Sequence, residues 1–231
     1  MDHIKSYVLR AGRISAAQRR SYETLFPRYG LALGPALALP RVFGNDHPVI
    51  AEIGFGMGSA TVLMAEENPG INYLGIEVHR PGIGRLLWEI ERRRVSNIRV
   101  IEHDAVEALE RMIPDASLDG LHIFFPDPWP KKRHRKRRLL ARPVTDLLAQ
   151  KLRPGAYLYT VTDWEDYAQS ALRELAQTPL LQNAYPGFAQ TQSWRPRTKF
   201  EQRGIAEARP IRELFFIRGG SSPAGHTPAS P

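Results

Sequence analysis

Through the middle of the chain, short apolar runs alternate with stretches of helical period. Val49-Ile-Ala-Glu-Ile53 reads as a buried strand, and Ser59 to Glu67 as a helix stopped by Asn68-Pro69-Gly70. Ile71 to Ile76 is a second strand, Arg80 to Arg93 a helix, Ile98 to Glu102 a third strand and Ala105 to Met112 a helix. A fourth strand over Gly120 to Phe125, a helix over Leu139 to Lys151, a fifth strand over Gly155 to Val161 and a helix over Glu165 to Gln177 complete the series. Strict alternation of this kind predicts an α/β fold: a doubly wound, mostly parallel sheet with helices on both faces. After Thr178 the pattern changes. Gly187 to Trp194 and Ile211 to Arg218 are strand-like with no long helix between them, which predicts a C-terminal antiparallel hairpin at one edge.

The flanks differ from this body. Residues 1–47 carry scattered Arg and aromatic side chains without a clean period and are expected to form an N-terminal extension on a domain spanning 48–218. Residues 219–231, rich in Gly, Ser and Pro, have almost nothing large and apolar to bury and are expected to be a disordered tail. The apolar stretches Leu31 to Leu39 and Leu118 to Phe125 fall far short of the roughly 20 residues of a membrane span. The start of the chain has no apolar signal core, so a cytoplasmic protein with no membrane partner is expected. Cysteine is absent, which excludes a disulfide framework, thiolate-bound zinc, iron–sulfur clusters and a thiol nucleophile.

Charge changes the picture more. The 231 residues hold 32 Lys and Arg against 24 Asp and Glu, a net +8. Seven of those cations, Lys131, Lys132, Arg133, Arg135, Lys136, Arg137 and Arg138, fall within eight consecutive positions; without them 25 bases face 24 acids. The basic character is therefore local, as in a site that grips a polyanion. In isolation the run reads first as a solvated face or a nuclear-import signal rather than a polyanion site.

Position decides its meaning, because ligands of open α/β sheets sit beyond the carboxyl ends of the strands. Four of the first five strands carry a carboxylate there. The first ends Glu52-Ile53-Gly54-Phe55-Gly56-Met57-Gly58, where three glycines leave room for a close ligand. The spacing is G-x-G-x-G, neither the dinucleotide G-x-G-x-x-G nor a P-loop. Glu77 closes the second strand 23 positions after Gly54, near the spacing at which an acid takes ribose hydroxyls. Asp104 ends the third strand, suited to an adenine amine or to capping the next helix. Together these acceptors suit an amine, a ribose and an adenine but grip no pyrophosphate, and S-adenosylmethionine is the nucleoside cofactor of that description.

The fourth strand ends Pro126-Asp127-Pro128-Trp129-Pro130. Three prolines stiffen a loop holding one carboxylate and one indole on which a base can stack. The basic run follows at once, so a polyanion gripped there is delivered to Asp127 and Trp129. His79, His103 and His134 have no metal-ligand spacing, and no metal is expected.

Together with Glu-Ile-Gly-Phe-Gly-Met-Gly58, Gly75-Ile-Glu-Val-His-Arg-Pro-Gly-Ile-Gly84, Thr162-Asp163, Thr198-Lys-Phe-Glu-Gln-Arg-Gly204 and the N-terminal Gly12-to-Gln18 segment, the Pro126-to-Arg138 block resembles the tRNA (guanine-N7)-methyltransferases of the TrmB type. The resemblance runs from about Arg10 to Arg218 and implies a Rossmann-like class I methyltransferase. It implies methyl transfer from S-adenosylmethionine, leaving S-adenosylhomocysteine, to N7 of guanine 46 in the tRNA variable loop. It further implies that Glu52, Gly54, Gly56, Gly58, Glu77, Asp104 and Asp127 hold the cofactor, with Asp127 also catalytic. Lys131, Asp163, Thr198, Lys199, Phe200 and Glu201 are implied to contact substrate, and Arg133, His134, Arg135, Lys136, Arg137 and Arg138 the RNA. No obligatory protein partner is expected. Without the resemblance, Asp163 reads as a cap of the following helix and Lys199 with Glu201 as a surface pair. Two rival readings are an exocyclic-amine methyltransferase, which favours an Asn or Asp followed by Pro-Pro-aromatic, and a noncatalytic RNA-binding protein on the same fold.

Overall fold

The computed structural model describes residues 4–7 and 14–220, so the expectations for Arg10, Gly12, Arg13 and the tail from residue 221 lie outside the described residues. The chain divides into two compact units, one built on 14–114 with 194–196, the other on 4–7, 115–193 and 197–220.

The first unit runs α1 (Ala16–Tyr29), β1 (Gly30–Leu31), α2 (Leu39–Phe43), β2 (Val49–Ile53), α3 (Ser59–Glu67), β3 (Asn72–Glu77), α4 (Arg80–Arg93), β4 (Ile98–Glu102) and α5 (Ala105–Met112). Its strands lie in the order β1-β4-β3-β2 and all pair in parallel. Ile50, Leu74, Ile98, Val100 and Ile101 are completely buried, and each such side chain contributes about 1.5–3 kcal/mol. Much of the segment expected to be an extension is built into this unit. Ser15 and Gln18 cap α1 reciprocally, and a Cβ on Gly84 would stand 2.3 Å from the Gln18 carbonyl, so only glycine lets α1 and α4 meet backbone to backbone.

The second unit runs β5 (Leu118–Phe124), a 3-10 helix (Lys132–Arg137), α6 (Val144–Lys151), β6 (Leu152–Thr162), α7 (Glu165–Ala176), β7 (Leu181–Asn183), α8 (Lys199–Ala206) and β8 (Arg212–Arg218). The order is β5-β6-β8-β7, with β5 and β6 parallel and β8 antiparallel to both neighbours. The mixed α/β class and its antiparallel C-terminal strands are thus as expected. The partner of β8 differs in detail. It is β7, while Gly187 to Trp194 touches it through a single bridge, Ala189 to Glu213. Asn183 explains this, since its side chain accepts from the Tyr185 amide at 3.2 Å and donates to the Gly187 carbonyl at 2.9 Å, turning the chain away. Among the described residues no helix is long and apolar enough to cross a membrane.

Candidate functional site

In the first unit the candidate residues gather at the carboxyl ends of β2, β3 and β4. Gly54, Gly56 and Gly58 all have left-handed φ, +73°, +58° and +69°, which costs other residues about 1–2 kcal/mol. A Cβ at Gly54 or Gly56 would meet nothing within 4 Å. The loop therefore presents bare backbone to open space. It is held from behind, where a Cβ on Gly82 would lie 1.9 Å from the Gly56 carbonyl.

The three carboxylates around this loop are fixed in different ways. Glu77 accepts from the amides of Gly56 at 2.8 Å, Val78 at 2.7 Å and His79 at 3.0 Å, so it braces the loop. About one acceptor site of its carboxylate then remains for an outside hydroxyl. Asp104 is buried and caps α5, accepting from the amides of Val106 at 3.0 Å and Glu107 at 3.1 Å. Glu52 is buried and accepts from the Thr61 hydroxyl at 2.7 Å. Burial pushes its carboxyl up to about 7; the Thr61 hydrogen bond opposes that rise and the nearby Glu77 adds to it. Lys and Arg are absent from the set, so its chemistry fits S-adenosylmethionine: carboxylates for an amine and hydroxyls, glycines for close approach, and no grip on phosphate.

In the second unit the loop after β5 is tightly shaped. Phe125 and Trp129 both lie in the left-handed region, at φ +50° and +46°, which non-glycine residues occupy at a cost of about 1–3 kcal/mol. The Phe125 amide donates to the Val161 carbonyl at 2.7 Å, fixing the loop to β6. Asp127 is exposed between its prolines. The Trp129 indole donates to the Ser6 carbonyl at 2.9 Å, stands edge-on to His134 and carries the Arg137 guanidinium 5.3 Å from its centroid. Its faces are therefore less open to a base than the sequence suggests.

Asp163 and α8, the helix that the Thr198-to-Glu201 segment opens, also meet in this unit. Thr198 caps α8 by accepting from the Glu201 amide at 3.2 Å, and a Cβ on Gly204 would touch the Asp163 side chain at 3.0 Å. Asp163 is not the cap of α7; it pairs with Arg209 at 2.8 Å. Lys199 and Phe200 are exposed while Glu201 is buried, which rules out a surface Lys–Glu pair. Phe200 stacks on Phe125 at 6.2 Å, joining α8 to the start of the Asp127 loop.

The basic run forms the 3-10 helix, and its cations are not alike. Lys131, Lys132, Arg133 and Lys136 are exposed. Arg138, expected to face RNA, is instead buried: it donates to the Pro128 carbonyl at 3.0 Å and pairs with Asp166. Arg135 shares that aspartate at 3.2 Å, and Arg137 donates to the Lys5 carbonyl at 3.2 Å. Desolvation and the fields of Arg133, Lys131 and Arg137 hold His134 below the ordinary imidazole value. Among the described residues no group of His, Asp or Glu is placed to hold a metal ion.

Residues 46–214 match the family model described as a putative methyltransferase. A tRNA (guanine-N(7)-)-methyltransferase of Nitrosospira multiformis is 49% identical over 214 residues, covering 92% of this chain and 93% of the relative. One of Chromobacterium violaceum is 49% identical over 216 residues, covering 93% and 96%. The chain belongs to the tRNA (guanine-N7)-methyltransferase family. Among solved structures it is similar to the 16S rRNA methyltransferase KamB, with a TM-score of 0.56 at 15% identity over 95% of this chain and all of that one. The antibiotic-resistance methyltransferase Kmr gives a TM-score of 0.53 at 18% identity, over 76% of this chain and 89% of that one. Those two likenesses carry the fold alone.

Four residues escape the sequence-level view of this family member. Gly82 backs the glycine loop, Phe125 carries Phe200, Arg209 holds Asp163, and Asp166 anchors the basic run. Only Gly82 had a legible signal, as a glycine near the start of a helix, where it costs about 1 kcal/mol against Ala.

Proposed function

We infer that this chain transfers the methyl group of S-adenosylmethionine to N7 of a guanine in tRNA, at position 46 of the variable loop. The observation that carries this is the 49% identity, over more than nine tenths of both chains, to proteins named for that reaction. The phosphate-free chemistry of the glycine loop and its carboxylates supports the same reading.

When bound, the cofactor supplies an electrophilic methyl group on a sulfonium. Guanine N7 offers a lone pair and carries no proton, so in-line attack requires no general base. The protein's part is positioning and electrostatics. Glu52 is offered to the cofactor amine, whose positive charge would favour the ionised carboxylate that burial disfavours. Glu77 is offered to the ribose and Asp104 to the adenine amine, while the open backbone of Gly54 and Gly56 admits close approach. Asp127, presented by a proline-stiffened loop, is assigned to the guanine, where a carboxylate favours positive charge moving onto the purine. Lys131, Lys199 and the free cations of the 3-10 helix are assigned to RNA. The methyltransferase domain is assigned to residues 48–218, with α1, β1 and α2 of the preceding segment packed into its first unit, and tRNA as substrate assigns the protein to the cytoplasm.

The test is methylation of an unmodified tRNA transcript by the full chain, followed by digestion and location of the methyl group. 7-Methylguanosine at position 46 is expected. A methyl group on an exocyclic amine, or tRNA binding without transfer, would overturn the reading in favour of one of its two rivals.

A further inference from the structure

Away from the strand ends that carry the carboxylates, the first unit holds a pocket of about 220 Å³ bounded by Arg28, Tyr29, Glu91, Arg94, Ser96 and Arg99. It lies where α1 and α4 finish and β4 begins. Asp104, past the other end of β4, is a strand length away, on the order of 15 Å at 3.3 Å per residue. The pocket is therefore no part of the cofactor site.

Three guanidinium groups face one carboxylate there, and that carboxylate is already engaged. Glu91 accepts from the Tyr29 hydroxyl at 3.0 Å and from Arg28 at 3.4 Å. Arg99 is held in place by its Nη1, which donates to the carbonyls of Ser96 at 3.0 Å and Ile98 at 2.8 Å, and by the Phe43 ring 5.5 Å away. Its Nε and Nη2 have no partner among the described residues. Burial lowers the pKa of Arg99; Tyr29 opposes that fall and Arg28 adds to it. Arg94 ends α4 at φ +60°, a position where glycine is the undemanding choice, and its guanidinium has no partner among the described residues.

We infer that Arg94 and Arg99 form a subsite for a phosphate group of the RNA backbone. The inference rests on tRNA being the substrate. A phosphate matches the unused donors, since guanidinium groups bind it through paired N–H bonds. The helix ends decide its source. Both α1 and α4 present their carbonyl, negative ends to the pocket, which opposes a free anion. A phosphodiester needs less from each contact, because the rest of the polyanion is held elsewhere.

The experiment measures tRNA affinity of the full chain between 50 and 200 mM salt for wild type and Arg94→Gly. Glycine suits the left-handed backbone, so the variant should fold, with unchanged melting temperature and cofactor affinity. One lost phosphate contact should flatten the slope of log K against log[salt] by about 0.7–0.9. Over that fourfold rise in salt, the variant should then lose about threefold less affinity than wild type. Arg99→Gln should behave alike, and a wild-type slope in Arg94→Gly overturns the inference. Calorimetry with inorganic phosphate separates the sources: uptake of the free ion by wild type and not by Arg94→Gly, with equal tRNA slopes, overturns the RNA assignment. A protein that fails to methylate tRNA refutes the functional reading, whereas an active enzyme with an unaltered slope refutes this pocket alone.

Discussion

Glu52→Gln tests the carboxylate most deeply buried beneath the glycine loop. The wild-type carboxyl rises from 4.5 to about 7 on folding, chiefly through burial. At 1.36 kcal/mol per pKa unit this corresponds to about 3 kcal/mol. Because the folded value is the raised one, the folded state binds this proton more tightly. The contribution is fully present below pH 4.5 and is lost as pH climbs through about 7. Glutamine cannot ionise, and it keeps an oxygen for the Thr61 hydroxyl. The variant should therefore match wild type near pH 4.5 and exceed it at pH 8 by about 3 kcal/mol, or roughly 6–12 °C in melting temperature for a chain of this size. Urea or thermal unfolding of cofactor-free protein at both pH values measures this. A stability difference that does not change with pH would refute the reasoning. With cofactor present the order should reverse at pH 8, because only the wild type offers a negative charge to the amine.

Asp127→Ala should lower turnover by orders of magnitude and leave the tRNA dissociation constant nearly unchanged; wild-type-like turnover would remove Asp127 from the reaction. Glu77→Ala should weaken S-adenosylmethionine binding by about 1.5–3 kcal/mol, the scale of charge-assisted hydrogen bonds, and titration calorimetry returning an unchanged constant would leave it a loop brace only. Lys132, Arg133 and Lys136 changed together to Ala should flatten the salt slope of tRNA binding by about 2–3, while Arg138→Ala should lower folding stability by about 2–3 kcal/mol. If Arg138→Ala flattened the slope at full stability, the division of the run would be wrong.

Period and strand ends made much of this legible. The βα alternation placed β2 to β6 within three residues at either end, because short, mostly apolar runs such as Val49–Ile53 are stable only when buried in a sheet. The same rule pointed to Glu77 and Asp104, since polar groups past a buried strand face a ligand or cap a helix, and Asp104 does cap α5. Three-dimensional pairings were not legible. Nothing in the spacing of Asp163 and Arg209, or of Arg138 and Asp166, marks them as partners, as ion pairs impose no period on a sequence. The C-terminal strand partner of β8 is not legible for a related reason. The Asn183 turn rests on one side chain, whereas Gly187 to Trp194 merely looked extended.

The division of the basic run follows from its own charge density. Seven cations in eight positions repel one another by on the order of 0.5–1 kcal/mol per neighbouring pair in water, so an unanchored run would spread. Here Asp166 takes Arg138 and Arg135, and backbone carbonyls of Pro128 and Lys5 take Arg138 and Arg137. Those three cations hold the loop in shape, and Lys131, Lys132, Arg133 and Lys136 have no partner among the described residues. The restraint is of use only if something must meet the remaining four in fixed positions, because ordering a charged loop lowers the entropy lost when a ligand binds. A solvated face has no need of it. The buried Arg138, which holds the loop rather than meeting a ligand, thus supports the proposed RNA-binding role of this loop better than one more exposed cation would have.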